Sequence, residues 1–495
     1  MAPTTFFESA VRPLDSFRGL RVTVMGLGLF GGGKGAVQFF VRRGSRVTVT
    51  DLRSEEALRP TIRDLQDLPV RWVLGGHREE DFLGADLVIP SPAVPRSAPL
   101  LQACREKGVP LDTEMNLFFK YCPARIAAVT GSNGKSTTAS LLADMARRRW
   151  PGLRAGGNLG RSLLPEVEDI DPEEWVVLEI SSFQLEDLAS IARRPDVAVV
   201  TNVSPNHLDR HGTYEAYLAA KRAILEPGPK GAAAVLNAED PAVRSWPAPG
   251  RRRIYFGRTG SVRPGAEGVW VDLERGEAVF GAGGRERRVA RPSEAPPEAR
   301  GETLLFRSSD VPLAGVFNLL NAAAASAAAL AMGVGVPEVA EAVREFRPLE
   351  HRLERVLESR GVTYYNDSIA TTPESTIAAL GALGPKVVLI CGGSGKGCSY
   401  RELGRAISHR ARAVVLMGRT AEEIRRSIPE RAGGPAIAAA QDLEDAVRKA
   451  SRLAAPGDAV ILSPASASFD MFLNFAERGA RFKEIARRLA ERGEL

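Results

Sequence analysis

The run Thr130-Gly-Ser-Asn-Gly-Lys-Ser136 contains the residue types that hold a nucleotide phosphate. Gly131 and Gly134 let the backbone turn its N–H groups inward around Ser132 and Asn133. Lys135 brings a mobile positive charge for the outer phosphates, and the Ser136 hydroxyl can complete the shell of a Mg²⁺ ion. The pattern is a short variant of G-x-x-x-x-G-K-[ST], because position 129 is Val where the longer loop has Gly. A second candidate is Glu179, at the exit of the apolar run Trp175 to Ile180. A nucleotide-bound Mg²⁺ takes its second protein ligand at such a place, although a carboxylate that has merely reached solvent would look the same. A third is His207, in the segment Thr201 to His211 that follows the apolar Val197 to Val200. Loop histidines are mostly structural or solvated, but this one leaves the C-terminal edge of a parallel sheet, where open α/β sheets bind ligands.

Such residues need strands and helices to hold them. Ile126 to Val129 reads as a buried strand and Ser136 to Arg149 as the helix after the loop. Upstream, Arg21 to Met25 alternates like a strand and runs into Gly26-Leu-Gly28-Leu-Phe-Gly31, a complete G-x-G-x-x-G. The helix it opens ends at Arg43-Gly44, and a second strand from Arg46 to Thr50 closes on Asp51. Alone, this predicts dinucleotide binding with Asp51 on a ribose hydroxyl, and hence an NAD-dependent oxidoreductase as a reading of another class. Physically, the turn requires only a diphosphate. A strand near Asp86 to Pro92 and a helix near Leu100 to Lys107 complete a first domain, 1–121, ending near Tyr121-Cys-Pro123.

The middle domain is expected over 122–347. In its helix Tyr214 to Ile224, Lys221 sits among alanines and reads from spacing as a surface lysine. From Gly257 to Asp310 the pattern weakens into Gly, Pro, Arg and Glu, including Arg285 to Arg288 and Pro292 to Glu298, which predicts β-hairpins joined by a solvated loop. Gly315 to Asn321 then opens an alanine-rich helix reaching Met332, with Asn318 and Asn321 on one face, able to cap the helix or to read an adenine edge. The third domain, 348–495, again alternates strand and helix. Its loops Asn366 to Thr372, Gly392 to Gly397 and Ser463 to Phe469 leave one parallel sheet on one edge, as a site would. The fold class is thus α/β in three domains: a Rossmann-like N-terminal domain, a central P-loop ATPase type, and a Rossmann-like C-terminal domain.

The totals agree with that division. The 495 residues, 44% hydrophobic and 25% charged, describe a soluble globular protein with room for about three cores. No membrane span or signal peptide is expected, which makes the cytoplasm the default. Cys104, Cys122, Cys391 and Cys398 form no C-x-x-C pair, so neither disulfides nor zinc is indicated. The net charge of +6 lies partly in arginine clusters at Arg147 to Arg149 and Arg251 to Arg253, which suit solvated surface or an anionic small substrate rather than nucleic acid.

Read in order, T-G-S-N-G-K-S, L-E-I-S-S-F-Q-L-E, N-H-L-D-R-H, H-R-L-E, N-D-S, G-G-S-G-K-G and S-P-A-S-A-S-F-D-M-F-L-N-F-A-E-R-G make the chain resemble the Mur ligases, the ATP-dependent amide-forming enzymes of peptidoglycan synthesis. The resemblance covers all but Gly257 to Asp310 and is nearest to the members that add glutamate; the D-N-P-R loop of the diamino-acid-adding sister is missing. The phosphate loop also marks folylpolyglutamate synthases, which have no reason to carry a UDP-type domain.

The resemblance implies that Gly26, Gly28, Gly31 and Asp51 hold the UDP part of UDP-N-acetylmuramoyl-L-alanine rather than NAD, with Ser181 and Gln184 also at the substrate. Gly131, Ser132, Asn133, Gly134, Lys135, Ser136 and Thr137 would cradle ATP. Ser136 and Glu179 would hold one Mg²⁺, and His207 with a carbamylated Lys221 a second. Asn158 and Asn321 would lie toward the adenine, and Arg352 and Asp367 would reach back to the nucleotide. Thr371, Lys396, Ser468 and Phe475 would hold the incoming glutamate. It further implies an acyl phosphate formed from ATP, closure of the third domain over it, and a cytoplasmic monomer. Three positions depart from the family pattern: Ile369 replaces the Lys of N-D-S-K, Asn206 precedes the loop histidine where Asp is common, and Phe317 replaces the His of G-x-H-N. They leave L-glutamate open beside D-glutamate.

Overall fold

The computed structural model describes residues 7–27, 31–261, 266–283, 302–313, 315–347, 349–384, 387–395 and 398–495. Three sheets follow one another along the chain. The backbone gathers into two compact units, Met1–Asp310 with Leu320–Glu345 and Val311–Leu319 with Phe346–Leu495.

The first sheet has four parallel strands in the order Val70–Leu74, Arg46–Asp51, Arg21–Met25, Leu87–Pro90. Helices cover it, so Leu87–Pro90 is buried throughout and Arg21–Met25 beyond its first residue, while the edge strand Val70–Leu74 buries only Val73. The chain passes to opposite sides of Arg21–Met25, which puts the glycine turn after that strand at the point where the order reverses. Helix Gly32–Arg42 then buries Ala36, Val37, Phe39 and Phe40 on one stripe.

The second sheet has nine strands, in the order Thr303–Arg307, Glu277–Gly283, Ala266–Asp272, Arg252–Arg258, Ala233–Asn237, Val197–Val200, Arg125–Thr130, Trp175–Glu179, Arg154–Gly157. Seven run parallel, and Glu277–Gly283 lies antiparallel to both of its neighbours. The hairpins expected beyond Gly257 are therefore present among the described residues, closed over a small core of Trp270, Val279 and Ala238. The runs Arg285 to Arg288 and Pro292 to Glu298 lie outside the described residues. Arg125–Thr130 sits between Val197–Val200 and Trp175–Glu179, so the phosphate loop also leaves at a reversal of strand order.

No break in packing accompanies Tyr121-Cys-Pro123. Phe17, Phe39 and Phe40 from the first sheet's layer, Phe118 and Phe119 of helix Glu114–Tyr121, and Ile126, Val200 and Leu236 of the second sheet belong to one buried cluster. That shared core explains why two sheets make one unit.

The second unit is a six-stranded sheet in the order Glu354–Ser359, Val362–Asn366, Ala459–Leu462, Val387–Cys391, Ala411–Leu416, Ala436–Ala439, parallel except for its first pair. Its two faces carry separate cores, one around Val460 and Phe482 and one around Leu389 and Leu403. No helix among the described residues is long and apolar enough to cross a membrane.

Candidate functional site

The phosphate loop is built by close approach. A Cβ at Gly131 would overlap Thr201 Oγ1, and one at Gly134 would overlap Asn321 Oδ1. Gly134 also has φ 81°, a left-handed value that glycine adopts without strain, and it serves as N-cap of helix Lys135–Arg147 with no side chain over its first amides. The exit of the next strand scaffolds the loop. Ser132 N–H donates to Asn202 O at 2.8 Å. Asn133 N–H donates to Asn202 Oδ1 at 2.9 Å, and Thr201 Oγ1 donates to Asn133 O at 2.6 Å. Ser132 Oγ also bonds Tyr217 OH at 2.7 Å. Lys135 Nζ folds back to donate to Ser132 O at 2.9 Å, Ser136 is half-buried, and Thr137 is buried in the first helical turn.

Glu179 ends its strand beside Val129 and is buried. Its Oε1 accepts from Asn158 Nδ2 at 2.7 Å, whereas its buried Oε2 has no hydrogen-bond partner. A buried carboxylate oxygen without a donor is costly unless a cation meets it. The Asn158 amide thus rests on the Glu179 carboxylate. Asn321 likewise packs its Oδ1 against Gly134 and lies 3.5 Å from Thr138 Oγ1, at the phosphate end.

Lys221 corrects the surface reading. It is 2% exposed, with Nζ donating to Gly131 O at 2.7 Å. Burial, reinforced by the Lys135 charge and opposed by Glu179, drives its amine pKa well below the ordinary lysine value. The signal was present in the sequence: Tyr217, Lys221 and Ile224 fall at helical spacing on the buried side of helix Tyr214–Arg222 and its continuation. Lys135, Glu179 and Lys221 thus lie within one another's field. His207 is exposed at the head of the following turn, its ring 5.0 Å from that of Phe183. Among the described residues no three His, Cys, Asp or Glu side chains gather into a metal cage. Mg²⁺ needs no such cage, since one or two protein oxygens plus nucleotide phosphates satisfy it, and Glu179 Oε2 with Ser136 fits that mode. Ser181 and Gln184 form a capping box on helix Ser182–Leu188, so their polar atoms shape the start of that helix.

At the first sheet, Gly26 and Gly31 adopt φ 85° and 91°; Gly28 lies outside the described residues. A Cβ at Gly31 would come 2.9 Å from Gly160 O, so the turn is packed against the second sheet's loop. Asp51 is buried and engaged: its Oδ2 accepts from Leu27 N–H at 3.0 Å and pairs with Arg53 at 3.1 Å. Its carboxylate fastens the glycine turn from behind and is shared with the Arg53 guanidinium. Behind the turn, Ser162 Oγ donates to Glu114, a buried residue whose acid is pushed up to about 7 by desolvation. Sequence reasoning missed Glu114, Asn202 and Tyr217, whose polar side chains sit in otherwise apolar or loop contexts.

In the second unit Asp367 is buried, accepting from Ser463 Oγ at 2.7 Å and from Leu353 N–H at 3.1 Å. Burial raises its acid to about 7, against the pull of Ser463 and Arg352. Thr371 N–H donates to Ile369 O at 2.8 Å, Ser468 is buried, and Phe475 begins helix Phe475–Glu491 with its ring near-perpendicular to that of His351. Lys396 lies outside the described residues. The residue unnamed in advance is Arg478, fully buried, which donates to Ser368 Oγ at 3.0 Å, Ser368 O at 2.9 Å and Ser466 O at 3.2 Å. It ties the loop after Asn366 to the loop after Leu462.

Comparison with known proteins gives three family matches: Mur ligase MurD-like, N-terminal domain over residues 20–112, Mur ligase middle domain over 129–329, and Mur ligase, glutamate ligase domain over 351–466. A protein of Roseiflexus sp. (strain RS-1), named UDP-N-acetylmuramoylalanine–D-glutamate ligase, is 41% identical over 474 residues, covering 94% of this chain and 98% of that one. A protein of the same name from Acidobacterium capsulatum is 38% identical, covering 96% and 97%. Among solved structures, the UDP-N-acetylmuramate-alanine ligase MurC of Thermotoga maritima superposes with TM-score 0.61 at 19% identity, covering 95% of this chain and 99% of that one. MurF ligase of Thermotoga maritima in complex with ADP superposes with TM-score 0.57 at 19% identity, covering 99% of each. At these identities the two structures speak for the fold alone.

Proposed function

The chain belongs to the Mur ligase family, and we propose that it joins D-glutamate to UDP-N-acetylmuramoyl-L-alanine at the expense of ATP, in the synthesis of a peptidoglycan precursor. The observation that carries the chemistry is the phosphate loop with Glu179 on the neighbouring strand, a buried carboxylate oxygen without a hydrogen-bond partner. The names of relatives alike over nearly the whole chain supply the substrates.

A carboxylate is a poor acylating agent. The alanine carboxylate therefore takes the γ-phosphoryl group of ATP, releasing ADP, and the amine of glutamate attacks the resulting acyl carbon, releasing phosphate and a proton. With the Ser132 and Asn133 N–H groups spent on Asn202, the head of helix Lys135–Arg147, which no side chain caps, offers its first backbone amides to the phosphates, and Lys135 swings from Ser132 O to the charge that develops. Mg²⁺, which Ser136 and Glu179 would hold, would supply further charge stabilisation there. Asn158 fixes the Glu179 carboxylate through Oε1, leaving Oε2 for that ion. Lys221, buried against the loop with a depressed pKa, gives up its proton more readily than an exposed lysine; carbamylation would convert it into an anion able to serve a second ion with His207. In the second unit we assign Thr371, Lys396, Ser468 and Phe475 to the glutamate. ATP and a UDP-linked substrate suit the cytoplasm.

The test is ADP and phosphate release with UDP-N-acetylmuramoyl-L-alanine, supplied separately with D-glutamate, L-glutamate and a folate acceptor. Release that requires the muramoyl substrate and D-glutamate is expected. Dependence on L-glutamate would overturn the assignment of the amino acid and direct attention to Ile369; release with folate alone would overturn the assignment of the substrate.

A further inference from the structure

Resting on that ligase reading, we propose that Arg210 is a positioning residue: it clamps the short turn that presents His207 to the loop of the first sheet beside the substrate's diphosphate turn. His207 itself has φ 54°, a left-handed conformation that a residue with a Cβ adopts only when its surroundings impose it. The helix it heads, Leu208–His211, has four residues and stops at Gly212, φ 77°. A single turn of that length cannot hold itself in water. Its conformation must come from contacts made by its side chains.

Two side chains at its end supply them. Arg210 donates to Val94 O at 3.1 Å and lies over the Phe183 ring at 5.6 Å. His211 Nε2 bonds Ser182 Oγ at 3.0 Å, and its ring stacks on Phe183 at 5.3 Å and meets Tyr217 at 5.4 Å. Tyr217 in turn bonds Ser132 of the phosphate loop. One prong of the turn thus reaches the nucleotide loop and the other reaches residue 94. The segment around residue 94 belongs to the first sheet's ligand edge: Ser91 N–H donates to Met25 O at 2.8 Å, and a Cβ at Gly26 would stand 3.0 Å from Ser91 Cβ. The same segment is bolted a second time, through Arg96 to the buried Asp187 at 2.8 Å. Arg210 Nε is buried without a partner, a cost that a residue kept for stability alone would shed. His207 therefore stands in a turn whose place is set jointly by the seats of the two substrates.

The test uses the full-length enzyme with three variants. Arg210→Met keeps an unbranched chain over Phe183 but cannot donate to Val94 O; Arg210→Lys restores a donor; His211→Phe keeps the ring contacts and deletes the Ser182 bond. Because displacement of a reacting group by an ångström costs about 10²-fold, R210M should lower kcat by about 10- to 100-fold with the KM for ATP unchanged. R210K should recover most of that loss, and H211F should show a smaller fall of the same kind. Calorimetric titration with UDP-N-acetylmuramoyl-L-alanine in the absence of ATP should show the affinity of R210M reduced several-fold, because the segment Arg210 holds at Val94 borders the Gly26 turn. A well-folded R210M with kcat and substrate affinity both within about twofold of wild type would overturn the proposal. So would a loss that lysine does not restore. If R210M melts early, H211F decides by the same kcat criterion. If wild type forms no ADP with these substrates, the ligase reading fails by itself, and the calorimetric arm still judges the clamp.

Discussion

Lys221 Nζ lies 2.7 Å from the carbonyl oxygen of Gly131, so an amine carried by a helix some ninety positions downstream is pressed against the first glycine of the phosphate loop. Burial and the neighbouring Lys135 both disfavour its protonated form. CO₂ reacts with neutral amines, and the expected outcome is a carbamate on Lys221, seen as a mass increment in native spectra recorded with bicarbonate and lost in CO₂-free buffer. Lys221→Met should lose the increment and most activity. An unmodified Lys221 in a fully active enzyme would remove the carbamate from the mechanism.

Glu179→Gln keeps an acceptor for Asn158 and replaces the buried, unpartnered Oε2 with an amide. The loop is untouched, so the thermal midpoint should hold. Weakening the hold on an ion that would stabilise the transferring phosphoryl group should lower kcat by about 10²–10³-fold. Titrating Mg²⁺ against rate checks the cause: the variant should need more Mg²⁺ for half-maximal rate, and an unchanged Mg²⁺ requirement would separate Glu179 from the ion.

Much of this was legible before any coordinates. Strands such as Val197–Val200 and the turns at Gly26 and Gly131 follow from apolar runs interrupted by glycine, because burial and φ are local demands. What sequence could not supply was the partner of each polar side chain. That the Asn158 amide rests on Glu179, that Asn321 packs beside Gly134 and that Asp51 takes the Leu27 N–H follows from no spacing in the sequence. Such choices are made across strands, between residues far apart in the chain. Among its alanine neighbours Lys221 reads as a surface residue, whereas the stripe it shares with Tyr217 faces inward.

Gly134 tests the packing of the loop. Gly134→Ala must adopt φ 81° and place its Cβ onto Asn321 Oδ1. The backbone part alone should cost about 1–2 kcal/mol, and the clash adds to it. Asn321→Ala removes the obstructing oxygen, so the double variant should be more stable than G134A while remaining below N321A. Urea unfolding of the three variants, with ATP affinity measured alongside, gives the comparison. Additive losses would mean that the two residues do not meet as placed.

Glu114 makes stability depend on pH. Desolvation raises its acid from an ordinary value of 4.5 to about 7, and Asp187 and Asp112 in the same unit are each raised to about 6. With the folded pKa above the unfolded one, the folded protein holds a proton that the unfolded chain has released. The resulting stabilisation is fully present below the unfolded values and is lost as pH rises through the folded ones. Wild type should therefore unfold at lower denaturant at pH 8 than at pH 5.5. Glu114→Gln keeps an acceptor for Ser162 but cannot ionise, so it should gain about 1–3 kcal/mol on wild type at pH 8 and much less at pH 5.5. Equal effects at the two pH values would show that the Glu114 carboxylate ionises in place without cost, and that the joint behind the glycine turn is wetter than its burial implies.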